Sequence, residues 1–410
     1  MIELARRALD KGLQWNERAA DAASNGFDWL FRRSELVLSG LTDHEVIFEG
    51  DPMSVRYYSL DGVAHIDLAD GGTLPVQKIK HPVPLVLVPP LGVTTETFDL
   101  MPNRSLVRYM AACGFQVYLV CWGVPERRHA TLGMADYADR MMGQALQAVR
   151  NHSGSQEVSL MGWCMGGLLA LLHAGLEGTQ GIRNIVTVAS PIDMRGGGLV
   201  AGVAQAINTP ARLIRKYSDF SIYALNPQTL HAPGWVTSLA FKLTDPVGSV
   251  TTYWDLLTKL WDRGFVESHS TTSDYLNNML SYPVGMVQDL VAKMAVGNQF
   301  AKGEFKLGQK MVRFKNIKAP MLVFAGETDV LVQASAARGI LDLVDSRDTS
   351  FETAPGGHMG VILGAQAQGV VWARSANWLA QRSGANSARS GLRRKGPRSD
   401  AGKKMALRSQ

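Results

Sequence analysis

Past Asp51 the chain repeatedly gathers short apolar runs separated by longer, periodically apolar stretches. The runs are SVRYYSL at Ser54, VPLVLVPP at Val83, FQVYLVCW at Phe115, VSLMGW at Val158, IVTVASP at Ile185, MLVFAG at Met321 and the weaker TSFETAP at Thr349. Several are apolar throughout, as strands buried on both faces should be. Between them RSLVRYMAACG and the stretch from Met134 to Val149 place apolar residues at helical spacing. This alternation predicts an α/β fold with a mostly parallel central sheet and helices on both faces.

The regularity fails from 195 to 316, where helical pieces, prolines and aromatics replace any convincing buried strand, and that span reads as an inserted helical cap. Residues 1–45 read as an N-terminal helical segment, with Ile2, Leu9 and Leu13 and then Phe27, Trp29, Leu30 and Phe31 near helical spacing. Such a segment can dock on the body, on a partner or on an apolar surface. The core then comprises 46–194 and 317–381. Residues 382–410 turn to Ser, Gly, Arg and Lys, which predicts a disordered basic tail.

Composition refines this picture. At 46% apolar and 19% charged, the 410 residues can bury a substantial core. The net charge of +6 is misleading until it is located. Nine Lys and Arg against Asp400 give the tail +8, so the rest of the chain carries −2 and the basic balance does not describe a nucleic-acid-binding body. Three cysteines, Cys113, Cys121 and Cys164, make neither a disulfide framework nor a zinc site, and no metal or cofactor is expected. No secretory signal precedes the body, and the proline-broken run at Val83 is too short to span a bilayer, so a cytoplasmic protein without a transmembrane segment is expected.

One cysteine is framed differently from the others. In SLMGWCMGGLLALL, Cys164 stands between Gly162 and Gly166, after an apolar strand and before a helical run. That is the setting of a nucleophile elbow with cysteine in the serine position. The sharp turn crowds the positions two before and two after, which demands small side chains there. Amides at the start of the following helix favour a thiolate, and the Met165 N–H would face a developing oxyanion. Cys113 and Cys121 sit in an apolar helix end and a strand, as inert core residues do.

A cysteine nucleophile needs a base and a group that orients it, and in a strand-elbow-helix arrangement the acid and then the histidine follow the nucleophile along the chain. His358, in FETAPGGHMGVILG after the last strand, meets that order, whereas His44, His65, His81, His129, His152, His173, His231 and His269 do not. AGETDVLV supplies the acid, with Asp329 two residues past the strand region preferred to Glu327, which is expected to face solvent or cap the turn. The second oxyanion donor should follow an early strand, and the Gly92 amide in VLVPPLGVTTETF fits, with Leu91 beside it.

These stretches carry a family resemblance. PLVLVPPLGV, FDLMPNRSLVRYMAACGFQVYLVCW, SLMGWCMGG, PMLVFAGETDVLV and PGGHMGVILG together resemble the polyhydroxyalkanoate synthases, α/β-hydrolase-fold enzymes with a cysteine in a lipase-like box, from about Val83 to Leu379. Asp99, Pro102, Ser105, Leu106 and Val107 add specificity beyond the box. The resemblance implies that Cys164 carries the acyl chain, that His358 is the general base and that Asp329 is the third member. It implies an acyltransferase that polymerises 3-hydroxyacyl-CoA, with coenzyme A thioester as substrate, a growing polyester as product, and cytoplasmic residence at a polymer granule surface. The short N-terminal part is similar to the two-subunit synthases, which leaves open a second synthase subunit or a homodimer. The cap and the basic tail depart from the family pattern. The tail suits weak contact with a polyanion, or a solvated extension without function.

Two other readings compete. In one, water replaces the acceptor hydroxyl and the protein is an α/β-hydrolase acting on acyl thioesters or polyester. In the other, the chain is a non-catalytic granule-associated binding protein that uses its N-terminal segment and tail.

Overall fold

The computed structural model describes residues 2–199, 201–202, 205–206, 222–224, 226, 238 and 254–384, with backbone only for 2–14. Eight strands form one sheet: β1 (His44–Glu49), β2 (Ser54–Tyr58), β3 (Leu85–Val88), β4 (Val117–Cys121), β5 (Val158–Trp163), β6 (Ile182–Val188), β7 (Met321–Gly326) and β8 (Thr349–Ala354). Their spatial order is β1-β2-β4-β3-β5-β6-β7-β8. Only β2 runs against its neighbours, and every pairing from β4 to β8 is parallel.

Side chains alternate across this sheet with the strand period of two. Val86, Val88, Val158, Leu160, Met321 and Val323 face one core, which contains α3 (Met142–Ser153) and α4 (Met165–Gly175). Leu85, Leu87, Met161, Trp163, Leu322 and Phe324 face the other, with α2 (Leu106–Ala112) and a C-terminal helix at Ala373–Ala380. Both faces are covered, which is why the central strands are mostly apolar, and the buried Ser159 and Asn184 side chains bond each other at 2.9 Å. Ser105 caps α2 by accepting from the Arg108 N–H at 3.2 Å.

The periphery departs from the sequence reading at three places. The N-terminal helix α1 (Ile2–Phe31) ends at Phe31, and β1 begins at His44, inside the segment read as helical. α1 leans on α5 (Arg263–Asn277) and its approach: Asn25 donates to Leu260 O, Asp28 pairs with Arg263, and Trp29 joins the small cluster of Leu36, Leu256 and Val266, while Phe27, Leu30 and Phe31 stay exposed.

Most of 200–253, the first half of the expected cap, lies outside the described residues. Its second half holds α5 and α6 (Val284–Asp289), as expected of a helical region. It also holds a hairpin, Glu304–Leu307 with Lys310–Arg313, where no strand was expected. Phe305, Leu307 and Val312 of that hairpin enter the core beside α4, so this end of the span packs as part of the body.

Arg382, counted with the basic tail, is instead held by the body. Its guanidinium pairs with Asp348 at 2.8 Å and covers the Trp378 ring. Residues 385–410, where the rest of the expected tail falls, lie outside the described residues.

The turn from β5 into α4 is tight. Cys164 takes φ 51° and ψ −120°, a conformation that side-chain-bearing residues rarely hold. It is fixed by its own N–H, which donates to Val188 O at 2.8 Å, and by its carbonyl, which accepts from the Leu168 N–H at 3.2 Å. A Cβ on Gly162 would lie 2.5 Å from Gly167 N, and one on Gly166 would lie 2.0 Å from Val88 O. Backbone fills both places, so neither neighbour can yield. Gly166→Ala is therefore expected to destabilise the fold by at least about 1–3 kcal/mol, read as a lower denaturant midpoint with an unchanged slope.

Candidate active site

Three strand ends bring the candidate residues together. Cys164 tops β5, Asp329 follows β7, and His358 follows β8 on a loop opened by Gly356 and Gly357. The Asp329 carboxylate accepts from His358 Nδ1 at 2.8 Å through Oδ2, and Oδ1 accepts the backbone N–H groups of Leu331 and Val332, each at 2.9 Å. Both side chains are buried, at 1% and 0% exposure, so solvent screens this pair very little. Glu327 is exposed, and its backbone N–H donates to Ala354 O at the turn.

Trp163 supports the histidine loop. Its indole N–H donates to the His358 carbonyl at 3.2 Å, and the two rings lie 5.4 Å apart. Cys164 stands beside the imidazole, near enough for its charge to act on the ring. Burial by itself would push the His358 pKa down. The charge of Cys164, the hydrogen bond with Asp329 and the charge of Asp329 outweigh burial and raise it to about 10. The surroundings of the ring therefore favour its protonated form.

Met165 is the first residue of α4, so its amide belongs to the unpaired first turn beside the sulfur. Gly92 sits beyond β3, with the Tyr282 ring and hydroxyl packed against its backbone. Leu91 is buried in the core. Tyr275 also faces this region from α5, its hydroxyl 2.5 Å from Thr97 Oγ1. Burial first, and the charge of Cys164 in addition, raise the pKa of both phenols, which keeps them neutral donors. Neither tyrosine was visible to sequence reasoning, because the span that carries them has no strand-end landmark. Tyr275 at helical spacing from Thr271 was the only hint, and it reads equally as core.

The remaining candidates stand elsewhere. Burial raises the Cys113 thiol to about 11, and Cys121 ends β4. His129 bonds Asp51 at 2.9 Å, His152 bonds the Tyr118 hydroxyl at 2.8 Å, and His173 bonds Ala138 O at 2.8 Å. Among the described residues no three His, Cys, Asp or Glu side chains gather as a metal site, and no helix is long and apolar enough to cross a membrane.

Comparison with known proteins agrees with this architecture. The sequence profile of the alpha/beta hydrolase fold family matches residues 103–365. The chain is similar to the poly(3-hydroxyalkanoate) polymerase subunit PhaC of Haloferax mediterranei, 27% identical over 93% of this chain and 72% of that protein. It is 26% identical to the proteins of the same name from Haloarcula marismortui, over 92% and 76% of the two chains, and from Allochromatium vinosum, over 74% and 82%. Among solved structures, a monoglyceride lipase of Saccharomyces cerevisiae superposes with a TM-score of 0.50 at 15% identity, covering 84% of this chain and 96% of that one, a likeness of fold alone. From its sheet order, its elbow and these matches, the chain belongs to the α/β-hydrolase fold family, and its curated relatives are poly(3-hydroxyalkanoate) polymerase subunits.

Proposed function

We propose that this protein is an acyltransferase that polymerises 3-hydroxyacyl-CoA into polyhydroxyalkanoate, with Cys164, His358 and Asp329 as its catalytic residues. The observation that carries the reading is the elbow thiol beside a histidine whose Nδ1 is held by a fully buried carboxylate. The relatives named as polymerase subunits support the substrate class.

In this mechanism His358 holds the proton taken from Cys164, and the thiolate attacks the thioester carbonyl of the substrate. The amides of Met165 and Gly92 receive the tetrahedral oxyanion. Collapse expels coenzyme A as a thiolate, which regains its proton from His358. The hydroxyl of a second 3-hydroxyacyl unit then gives its proton to His358 and attacks the acyl-enzyme, forming the new ester bond and freeing the Cys164 sulfur. Both Asp329 oxygens are engaged, one with His358 and one with two amides. The carboxylate therefore orients the ring, and His358 alone is assigned as the base for both half-reactions.

A cysteine suits this chemistry. Acylation exchanges one thioester for another and retains the acyl-transfer potential, whereas a serine would form a more stable oxyester. No resident cofactor enters these steps. The word subunit in the relatives' names favours action beside a second synthase subunit or a second copy of this chain, at the surface of the polymer granule.

Purified protein given 3-hydroxybutyryl-CoA should release coenzyme A and turn the solution turbid with polymer. Release of coenzyme A with only soluble acid would convert the reading to a hydrolase. Cys164→Ala should lower turnover by at least about 1,000-fold, and unchanged turnover would restore the binding-protein reading. The proton on His358 is checked by NMR of labelled imidazole. The wild-type ring should remain protonated at pH 8, above the ordinary histidine value of about 6.5. Cys164→Ala removes the charge of Cys164 and leaves burial, so the midpoint should fall by at least about one unit.

A further inference from the structure

Both backbone groups of Gly92 are met by one short segment of chain. The Leu280 N–H donates to Gly92 O at 2.9 Å, and the Tyr282 hydroxyl lies against the Gly92 amide. The tyrosine ring lies close over the glycine: a Cβ there would meet Cε2 at 2.6 Å, Oη at 2.9 Å and Cζ at 3.0 Å. The segment joins α5 to α6 and is tied at its far side by Gly285, whose N–H donates to Ala130 O at 2.9 Å. The Tyr282 hydroxyl also feels the charge of Cys164, which is one reason it holds its proton. A hydroxyl oxygen thus stands against the Gly92 backbone at a point within reach of the charge of the candidate nucleophile. A substrate carbonyl oxygen in an oxyanion site would make the same contact.

We propose that the Tyr282 hydroxyl occupies the oxyanion site of the resting enzyme, standing in for the thioester carbonyl oxygen, and that an incoming acyl thioester displaces it together with the Leu280–Tyr282 strap. The proposal rests on the roles given above to Cys164 and Gly92. A hydroxyl is a weaker partner for the amide than the charged oxygen of the tetrahedral intermediate. The tyrosine therefore yields to the developing charge, but the ground-state carbonyl must compete with it on nearly equal terms. Binding is weakened by the fraction of molecules in which the hydroxyl is seated, while the step after binding is untouched.

The test is Tyr282→Phe in the full chain, which keeps the ring and removes the oxygen. Two acyl donors are compared: p-nitrophenyl butyrate, whose burst reports acylation without coenzyme A or polymer, and 3-hydroxybutyryl-CoA in the steady state. Loss of one competing hydrogen bond should lower the half-saturating ester concentration about fivefold, with the maximal acylation rate unchanged, and lower KM for the CoA ester likewise. An unchanged half-saturation overturns the proposal. So does a maximal rate that falls tenfold or more, which would make the hydroxyl a donor in the transition state. If the ester burst shifts as expected while neither protein turns over 3-hydroxybutyryl-CoA, the displacement stands and the polymerase reading fails. If the CoA ester is polymerised by both with no shift for either donor, the polymerase reading stands and the displacement fails.

Discussion

The site depends on how closely the first turn of α4 presses against the ends of β3 and β5. Gly166 lies so near Val88 O, and Gly162 so near the start of α4, that no side chain can separate helix from sheet. This contact forces Cys164 into its positive-φ bend and thrusts its sulfur above the sheet edge. It also aligns the helix axis with the sulfur, so the first-turn amides and the positive end of the helix dipole act on that atom. Strain in one residue is thereby held by packing that extends through Leu168, Leu169 and Leu172 into the core.

The second constraint is electrostatic. An Asp–His pair with almost no exposure is expensive to bury, and removing one partner of such a pair typically costs about 3–5 kcal/mol. Here both oxygens of the carboxylate are answered: one by the imidazole, the other by two amides of the turn after β7. The Asp329 loop is therefore shaped by the charge it holds. Trp163, the residue just before the nucleophile, in turn fixes the carbonyl of His358, so the loop after β8 is tied to the strand that ends at the elbow. Acid, base and sulfur share one rigid frame although they are far apart in the chain.

What the sequence revealed followed from this burial. Strands β3 to β7 were legible because covering both faces calls for apolar residues on both sides of each strand, and Cys164, Asp329 and His358 were legible as candidates because each sits at a strand end in a fixed chain order. The hairpin at Glu304–Arg313 was not, since one face is solvated and its pattern EFKL and KMVR reads as polar loop. β1 was missed for the same reason, its first three residues being exposed. Arg382 shares its composition with the tail and was assigned to it, whereas Asp348 and Trp378, distant in sequence, hold it to the body. Gly92 could be named as a donor from its place after β3, but the Tyr282 hydroxyl on its amide is a tertiary contact across about 190 positions and leaves no local trace.

The difference between a polymerase and a hydrolase on this frame lies on the side that α5 and α6 close. Cys164, His358 and the two amides would process water as readily as a hydroxyl, because the base cannot tell one O–H from another by proton transfer alone. Selectivity must come from what reaches the acyl-enzyme first. The α5–α6 segment presents Tyr275 and Tyr282, two aromatic bodies with neutral hydroxyls, toward the sulfur. Apolar rings there displace loosely held water, while a 3-hydroxyacyl acceptor brings apolar surface of its own to occupy the space. In the proposed polymerase a thioester intermediate would make that exclusion necessary, since it would retain the transfer potential that hydrolysis dissipates.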